Sequence, residues 1–215
     1  MNGYVVLCVV YSFALTMSNI MAGKFMSLGA LNLPSAIVIF PIVYIASDLM
    51  TEIYGIRRSL FAIRLNTCVA ALFALFSWVL LKLPPASFWQ NQSAFEAVFA
   101  STPRVILASL VGYYTGDWLN SVSLSLMKIK QGGRFFAVRS IVSSLIGEAI
   151  DSIAFFMIAF YGVLPLEIML QSMCWQYVFK VSYEVVCLPL TCAVVRFWKR
   201  HVREVFDTGK LSEYI

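Results

Sequence analysis

The residues of this sequence best suited to chemistry are ionisable side chains that stand inside long apolar runs. Most of them come in pairs three or four residues apart, which places both members on one face of a helix. They are Asp48 and Glu52, Asp117, Glu148 and Asp151, and Lys180 and Glu184. Amides stand in similar runs at Asn19, Asn120 and Gln176. Because carboxylates accept hydrogen bonds and amides both accept and donate them, these groups could together bind a small polar solute.

Carboxylates outnumber cations at the deep positions, where Lys180 is the single base. A charged side chain at the centre of a bilayer costs at least about 2.5–3.5 kcal/mol. The excess carboxylates must therefore be protonated by desolvation, or they must face a water-filled cavity that receives a donor-rich ligand. Asp117, Glu148 and Asp151 have no nearby base in the sequence, which favours a cavity. Either arrangement suits a transporter of a small polar solute, and neither suits a passive structural protein.

Other charged positions also have a purely structural interpretation. Lys180 and Glu184 could form an ion pair within one helix. Glu52 is expected to pair with the arginines that follow it, Arg57 and Arg58. Basic residues near other segment ends are expected to reach the membrane surface: Arg64, Arg104 and Arg139.

The elements that must position these groups are six apolar segments. The chain has 215 residues, of which 60% are hydrophobic and 13% charged, whereas a soluble domain is about 45–50% apolar and about 25% charged. Its mean hydropathy is +0.82, which makes a water-soluble enzyme improbable. We predict an all-α membrane protein with one transmembrane domain and helices at about 4–22, 33–54, 59–81, 103–127, 135–161 and 166–197. An amphipathic segment at about 87–102 is expected to lie at the membrane interface.

Lysine and arginine lie in clusters that fall between alternate segments. The clusters are Arg57 and Arg58, then Lys128, Lys130 and Arg134, and then the basic tail at 198–215. Since cytoplasmic loops carry an excess of basic residues, six spans with both termini in the cytoplasm place every cluster on one side. The net charge of +5 thus indicates orientation in a membrane, and not binding to a nucleic acid.

Cysteine and histidine provide no catalytic or metal site. The five cysteines are isolated, without a Cys-x-x-Cys pair, and the one histidine is His201 in the tail. We therefore predict no metal, no cofactor and no enzymatic activity. Small residues recur at every fourth position, as in Ala14, Ser18 and Ala22. Such stripes allow close packing inside a bundle, with a homodimer or a partner-docking face as the alternative.

Several short motifs stand in a fixed order along almost the whole chain. They include Ser18-Asn19-x-x-Ala22-x-Lys24, Phe40-Pro41, Ser47-Asp48-Leu49-x-Thr51-Glu52, Gly147-x-x-x-Asp151-Ser152, and Phe179-Lys180 followed by Glu184 and Pro189. In this order and spacing the sequence resembles the queuosine-precursor transporter family, which is sometimes grouped with vitamin uptake transporters. The resemblance implies a six-helix fold similar to the substrate-binding subunits of energy-coupling-factor transporters. It also implies a cargo of 7-deazaguanine bases, the precursors of the queuosine modification of transfer RNA.

A guanine-like base would match the polar groups of the apolar segments. Its N1–H and exocyclic amine can both donate to one carboxylate, its O6 can accept from a lysine or an amide, and its flat face can stack on an aromatic ring. We predict a site formed by Asn19, Asp48, Asp117, Asn120, Glu148, Asp151, Phe155, Gln176 and Lys180. Asp151 and Lys180 are expected to face one central cavity, with Asp48 and Asn19 on its wall.

The cargo and the energy source stay open at this point. Family members often have an amide where this chain has Asp117 and Glu148, and the extra carboxylates favour a cargo with an extra amine. The cyano base, the aminomethyl base and queuine are all candidates, and proton coupling and facilitated diffusion fit equally well. The alternative to a standalone importer is a substrate-capture subunit that docks on a separate energising module through the small-residue stripe of the first segment.

Overall fold

The computed structural model describes residues 3–21, 24–28, 31–99 and 103–201. Its helices are α1 (Gly3–Met21), α2 (Pro41–Tyr54), α3 (Ile56–Leu81), α4 (Gln92–Phe99), α5 (Pro103–Lys130), α6 (Phe136–Phe160) and α7 (Leu166–His201). Between α1 and α2, strand β1 (Phe25–Leu28) pairs antiparallel with β2 (Leu31–Pro34), and a 3-10 helix follows at Ser35–Val38. Most of the predicted basic tail, from position 202 onward, lies outside the described residues.

Six helical stretches in the described part of the chain are long and apolar enough to cross a membrane. They are Gly3–Met21, Ser35–Tyr54, Ile56–Leu81, Gln92–Lys130, Phe136–Phe160 and Leu166–Arg200. The prediction of an all-helical protein with six apolar spans is confirmed, and a small β-hairpin is added between the first two spans. Helix α4 falls within the segment predicted to lie at the interface, and none of its residues is buried.

Proline and glycine set the ends of α2. Pro41 stands in the first turn, where its missing N–H is not needed by the helix. Gly55 follows the last residue of α2 with a φ of 83°, a conformation that strains other residues. The chain therefore turns sharply at Gly55 and continues at once into α3.

Helices α5 and α6 approach each other closely because glycine removes side chains from their contact. A Cβ added at Gly116 would lie 2.7 Å from the carbonyl oxygen of Gly147, and one at Gly147 would lie 2.7 Å from that of Gly116. The hydroxyl of Tyr44 on α2 reaches the same point, 2.6 Å from where a Gly116 Cβ would stand. These small residues thus pack inside the bundle and bring polar groups of three helices together.

The bundle is apolar outside and polar inside. Large apolar side chains on the outer faces are exposed, for example Phe13 at 63% and Val186 at 77%. In the interior, Asp48, Asp117 and Glu148 have no exposed surface at all. This is the arrangement expected of a protein in lipid, where ionisable groups face the interior of the bundle.

The basic residues gather at one end of the bundle, which we call the basic end. There α1 and α3 begin side by side, and the Tyr4 hydroxyl donates a hydrogen bond of 2.9 Å to the backbone oxygen of Arg58. Lys128 of α5 and Lys199 of α7 also reach this end, where both contact Glu52 of α2. At the opposite, distal end, Arg104 near the start of α5 donates to the backbone oxygens of Ile158 and Tyr161.

Candidate binding site

A cluster of charges around Glu52 closes the basic end. The Glu52 carboxylate has no exposed surface and accepts two hydrogen bonds from the Arg139 guanidinium, at 3.0 and 3.2 Å. Lys199 contacts the same carboxylate, and the Lys128 ammonium lies 3.7 Å from it while donating to the Glu52 backbone oxygen. This Glu52 cluster joins α2, α5, α6 and α7 by charge-assisted hydrogen bonds, which are the stronger kind.

Two sequence predictions about these charges are wrong. Glu52 contacts Arg139, Lys128 and Lys199, whereas Arg58 lies at the exposed start of α3 over the rings of Tyr4 and Tyr54 and does not pair with Glu52. Arg139 does not reach the membrane surface either, since its residue is 0% exposed. It lies inside the bundle, where Glu52 neutralises it.

The Asp48 carboxylate lies one turn deeper than Glu52 on the same helix. It accepts a hydrogen bond of 2.8 Å from the Asn120 amide of α5 and another from the Ser140 hydroxyl of α6. All three residues are buried. Asp48 and Asn120, predicted separately as site residues, are therefore direct partners.

Glu184 and Glu148 extend the polar interior toward α7. Glu184 accepts a hydrogen bond of 2.5 Å from Ser144, and its other oxygen has no partner among the residues that the structure describes. Glu148 is completely buried, and within the described chain neither of its oxygens has a hydrogen-bond partner. Buried carboxylate oxygens without hydrogen-bond donors are energetically costly. These oxygens of Glu148 and Glu184 could therefore accept hydrogen bonds from a ligand.

Asp117 is held by tyrosine. The Tyr11 hydroxyl of α1 donates to one oxygen of Asp117 and lies 2.5 Å from the Tyr113 hydroxyl, whereas the second oxygen has no hydrogen-bond partner in the described part of the chain. Sequence reasoning missed Tyr11, whose position in an otherwise apolar face of α1 was its only signal.

A second polar group missed from the sequence consists of hydroxyls. Ser47, Thr51, Ser59 and Ser121 join α2, α3 and α5 through contacts of 2.8–3.2 Å. Ser47 and Thr51 are four residues apart on α2, which is the pattern that could have revealed them. Because a hydroxyl can both donate and accept, these four side chains satisfy one another's hydrogen bonds without a charged partner.

The remaining deep cation, Lys180, binds Asp151. The two side chains form a salt bridge between α7 and α6, and both residues are almost completely buried. The Lys180 ammonium also lies 4.1 Å from the ring centre of Phe40, a cation–π contact. The possible pairing of Lys180 with Glu184 inside α7 is therefore wrong, because Lys180 contacts Asp151 and Glu184 contacts Ser144.

A cavity of about 450 Å³ opens at the distal end, and we call it the distal cavity. Asn19 of α1, Phe73 and Trp78 of α3, Phe99 of α4, Ser109 of α5 and Phe155 of α6 are among the residues that line it. Ser109 donates a hydrogen bond of 3.1 Å to the Asn19 side chain. The volume of the distal cavity lies within the range of about 300–1,000 Å³ typical of small-molecule sites.

The single cavity expected from the sequence is divided in the structure. Asn19 and Phe155 line the distal cavity, whereas Asp48, Asp151 and Lys180 are packed below it. The two levels are adjacent, because a Cβ added at Gly112 would lie 2.7 Å from an Asp151 oxygen and 3.4 Å from the Phe155 Cβ.

The predicted site residues thus occupy two levels, and one of them stands apart. Gln176 lies one turn before Lys180 and is half-buried, and no hydrogen bond joins it to the other predicted residues in the part of the chain described. Below the distal cavity, six of the predicted residues and Glu184, which was not predicted as a site residue, form a polar column that runs toward the Glu52 cluster. The column consists of Asp48, Asp117, Asn120, Glu148, Asp151, Lys180 and Glu184.

Six apolar helices around a buried polar column define a multi-pass membrane protein. Residues 34–194 match the family described as "Putative vitamin uptake transporter", and the chain belongs to this family. It is a family of transporters and not of enzymes, as the sequence predicted. The resemblance carried by the sequence motifs is confirmed.

Curated relatives agree with the family. The chain is 26% identical over 182 residues, covering 84% of it and 80% of the relative, to a "Probable queuosine precursor transporter" of Bacillus subtilis (strain 168). It is 29% identical over 125 residues to a "Queuosine precursor transporter" of Escherichia coli (strain K12), which covers 57% of this chain and 52% of that protein. No solved structure matches the chain.

Proposed function

We propose that this chain imports a queuosine precursor, a 7-deazaguanine base, across the bacterial cytoplasmic membrane. The observation that carries the proposal is the polar column, in which Asp48, Asp117, Glu148 and Glu184 have no salt bridge among the described residues. Each of these groups is buried. Both oxygens of Glu148 and one oxygen each of Asp117 and Glu184 lack a donor in the described part of the chain, which favours a ligand that brings donors. The relatives that are named queuosine precursor transporters support the same cargo.

A 7-deazaguanine base offers what the column lacks. Its N1–H and exocyclic amine form two adjacent donors that one carboxylate accepts together, and Glu148 has both oxygens available in the described chain. Its O6 accepts from the amide or ammonium groups supplied by Asn120 and Lys180. A cargo with an additional amine, such as the aminomethyl base or queuine, would find a second carboxylate nearby, for which Asp117 and Glu184 each have one oxygen without a partner in the described part.

The orientation follows from the charges. Arg58, Lys128, Arg139 and Lys199 all belong to the basic end, and the positive-inside rule assigns this end to the cytoplasm. Both termini are then cytoplasmic, and the distal cavity faces the outside. In this conformation the Glu52 cluster closes the cytoplasmic side, so the base would approach from the distal end.

The alternative is a substrate-capture subunit that docks on a separate energising module of the energy-coupling-factor type. The proposed docking face was the small-residue stripe of α1, but Ala14 and Ser18 are 1% and 2% exposed and pack inside the bundle. That burial removes the sequence argument for docking at this face. We therefore favour a transporter that works without an energising partner.

Uptake into liposomes tests the proposal. The purified chain, reconstituted alone, should accumulate or equilibrate a radiolabelled 7-deazaguanine base faster than empty liposomes do, and unlabelled base should compete. Protein-free liposomes and liposomes containing an unrelated six-span protein serve as controls. Binding of the base without any uptake would favour the substrate-capture alternative, and absence of both would contradict the proposal.

A further inference from the structure

We infer that the distal cavity is the outward-facing recognition site for the base, and that Asn19 reads its lactam edge, the O6 and N1–H of the six-membered ring. This inference rests on the proposed function for the class of ligand. It assigns the first binding step to a place distinct from the polar column. The arguments are the shape of the cavity, the chemistry of its polar groups and the tight packing beneath it.

The walls of the distal cavity suit a flat ring. Phe73 and Trp78 on α3, Phe99 on α4 and Phe155 on α6 bring aromatic side chains from three helices to one space. Stacking of a base on an aromatic ring is worth about 1–3 kcal/mol and does not depend on which base is bound. The walls therefore supply affinity for a planar heterocycle, and the polar groups must supply the specificity.

Asn19 is placed to supply that specificity. Its side-chain oxygen accepts a hydrogen bond of 3.1 Å from Ser109, which orients the amide, and its NH₂ group has no hydrogen-bond partner among the described residues. A carboxamide offers a donor and an acceptor side by side. The lactam edge of a 7-deazaguanine base presents the complementary acceptor and donor, so the Asn19 amide can form a two-point contact with it.

The packing below the cavity explains why the base would stop there first. At Gly112 a Cβ would lie 2.7 Å from an Asp151 oxygen, and at Gly116 one would lie 2.7 Å from the Asp151 Cβ. Asp151 is itself bound to Lys180. Helices in such close contact leave no space for a bicyclic ring, so passage into the column requires α5 and α6 to separate after the base has bound.

Equilibrium binding to the purified, detergent-solubilised chain tests the inference. The probes are the radiolabelled cyano and aminomethyl 7-deazaguanine bases. We expect Asn19→Leu to weaken binding about tenfold or more, because two hydrogen bonds are lost, and Ser109→Ala to weaken it about threefold, because the amide loses its orienting donor. Ser125→Ala, the same change on the same helix but more than four turns from Ser109, is the matched control and should bind like the parent.

Tryptophan fluorescence locates the bound base. Trp78 lines the cavity, whereas Trp175 on α7 does not, so the base should change the emission of the parent and of Trp175→Phe but not of Trp78→Phe. Should Asn19→Leu fail to fold, Ser109→Ala and the Trp78 readout still decide the question.

The outcomes separate this inference from the proposed function. If the parent binds a base while Asn19→Leu and Ser109→Ala bind equally well and Trp78→Phe keeps the full response, the inference is overturned and the transport proposal stands. If the emission of Trp78 responds to the detergent but does not change when a base is added, the inference is likewise overturned, because the cavity then holds only a detergent acyl chain. If the parent binds neither of these bases nor queuine, the proposed function fails and the inference falls with it.

Discussion

Asn120 donates a hydrogen bond of 2.8 Å to Asp48, although 72 residues separate the two in the sequence. The second oxygen of Asp48 is held by Ser140, so both described donors of this buried carboxylate are neutral. Glu52, one turn away on the same helix, is instead surrounded by Arg139, Lys128 and Lys199. Two carboxylates of α2 thus have opposite roles, one closing the basic end by ion pairs and the other belonging to the polar column.

Neutralising Asp48 tests this division of roles. In Asp48→Asn the new amide keeps an oxygen for Asn120 and can donate to Ser140, so the protein should fold, with an unchanged or higher midpoint of thermal unfolding because a buried charge is removed. We expect uptake of the base to fall by about tenfold or more, since a charge-assisted acceptor is lost. Thermal unfolding and liposome uptake, measured on the same preparation, check both parts. Uptake equal to that of the parent would mean that transport does not require the charge of Asp48.

Glu52→Gln should have the opposite effect on stability. Removing one partner of a buried ion pair costs about 3–5 kcal/mol, because Arg139 is left buried without a carboxylate. Glu167→Gln, which changes an exposed carboxylate at the start of α7, is the control and should alter stability by less than about 0.5 kcal/mol. The free energy of unfolding in mixed micelles is the measurement. A stable Glu52→Gln would show that the cluster is dispensable for the fold.

The glycine contacts between α5 and α6 make a third prediction. Gly116→Ala puts a methyl group 2.7 Å from the carbonyl oxygen of Gly147, which is backbone and cannot rotate away. We expect destabilisation of about 1–3 kcal/mol, as for other overpacked cores, and the same for Gly147→Ala. Ser125→Ala on α5 controls for the change to alanine. Parent-like stability of both glycine variants would contradict the described packing of the two helices.

The salt bridge between Asp151 and Lys180 gives a fourth prediction. Asp151→Asn leaves Lys180 buried without its partner, so we expect the free energy of unfolding to fall by about 3–5 kcal/mol and uptake of the base to be abolished. Asp151→Leu combined with Lys180→Met should restore much of the stability because no unpaired charge remains, yet uptake should stay abolished. Recovery of uptake in the double variant would show that transport does not require the ion pair of Asp151 and Lys180.

Orientation can be checked by chemical labelling. Ser87 lies between α3 and α4 near the distal end, and Gln131 lies between α5 and α6 at the basic end; both are exposed. With the native cysteines replaced, Ser87→Cys should react with a membrane-impermeant maleimide in whole cells, and Gln131→Cys only after the cells are permeabilised. The reverse pattern would mean that the basic end faces outward.

Much of the fold follows from the sequence because its signals are local. The length and apolarity of each segment predicted six spans, and the period of the helix placed Asp48 with Glu52 and Glu148 with Asp151. The cost of charge in lipid then required these groups to lie inside, and they do. Each of these conclusions needs only one segment at a time.

The partners of those groups could not be predicted in the same way. Arg139 lies near the start of its helix, where snorkelling is the usual outcome, and its partner Glu52 stands 87 residues earlier. The salt bridge of Lys180 with Asp151 instead of Glu184 depends on how α6 and α7 face each other. The distal cavity depends on five helices at once, so Asn19 and Phe155 were found as site residues without any indication that they share a space separate from Asp48.

The most direct test of the proposed cargo is a binding screen of the purified, unaltered chain. The ligands are 7-cyano-7-deazaguanine, its aminomethyl relative, queuine, guanine, and common vitamins such as biotin and riboflavin, each titrated by calorimetry. We predict that at least one 7-deazaguanine compound binds, at least about tenfold more tightly than guanine, and that the vitamins do not bind. Binding of a vitamin with none of the three deazaguanine compounds bound would contradict the proposed function.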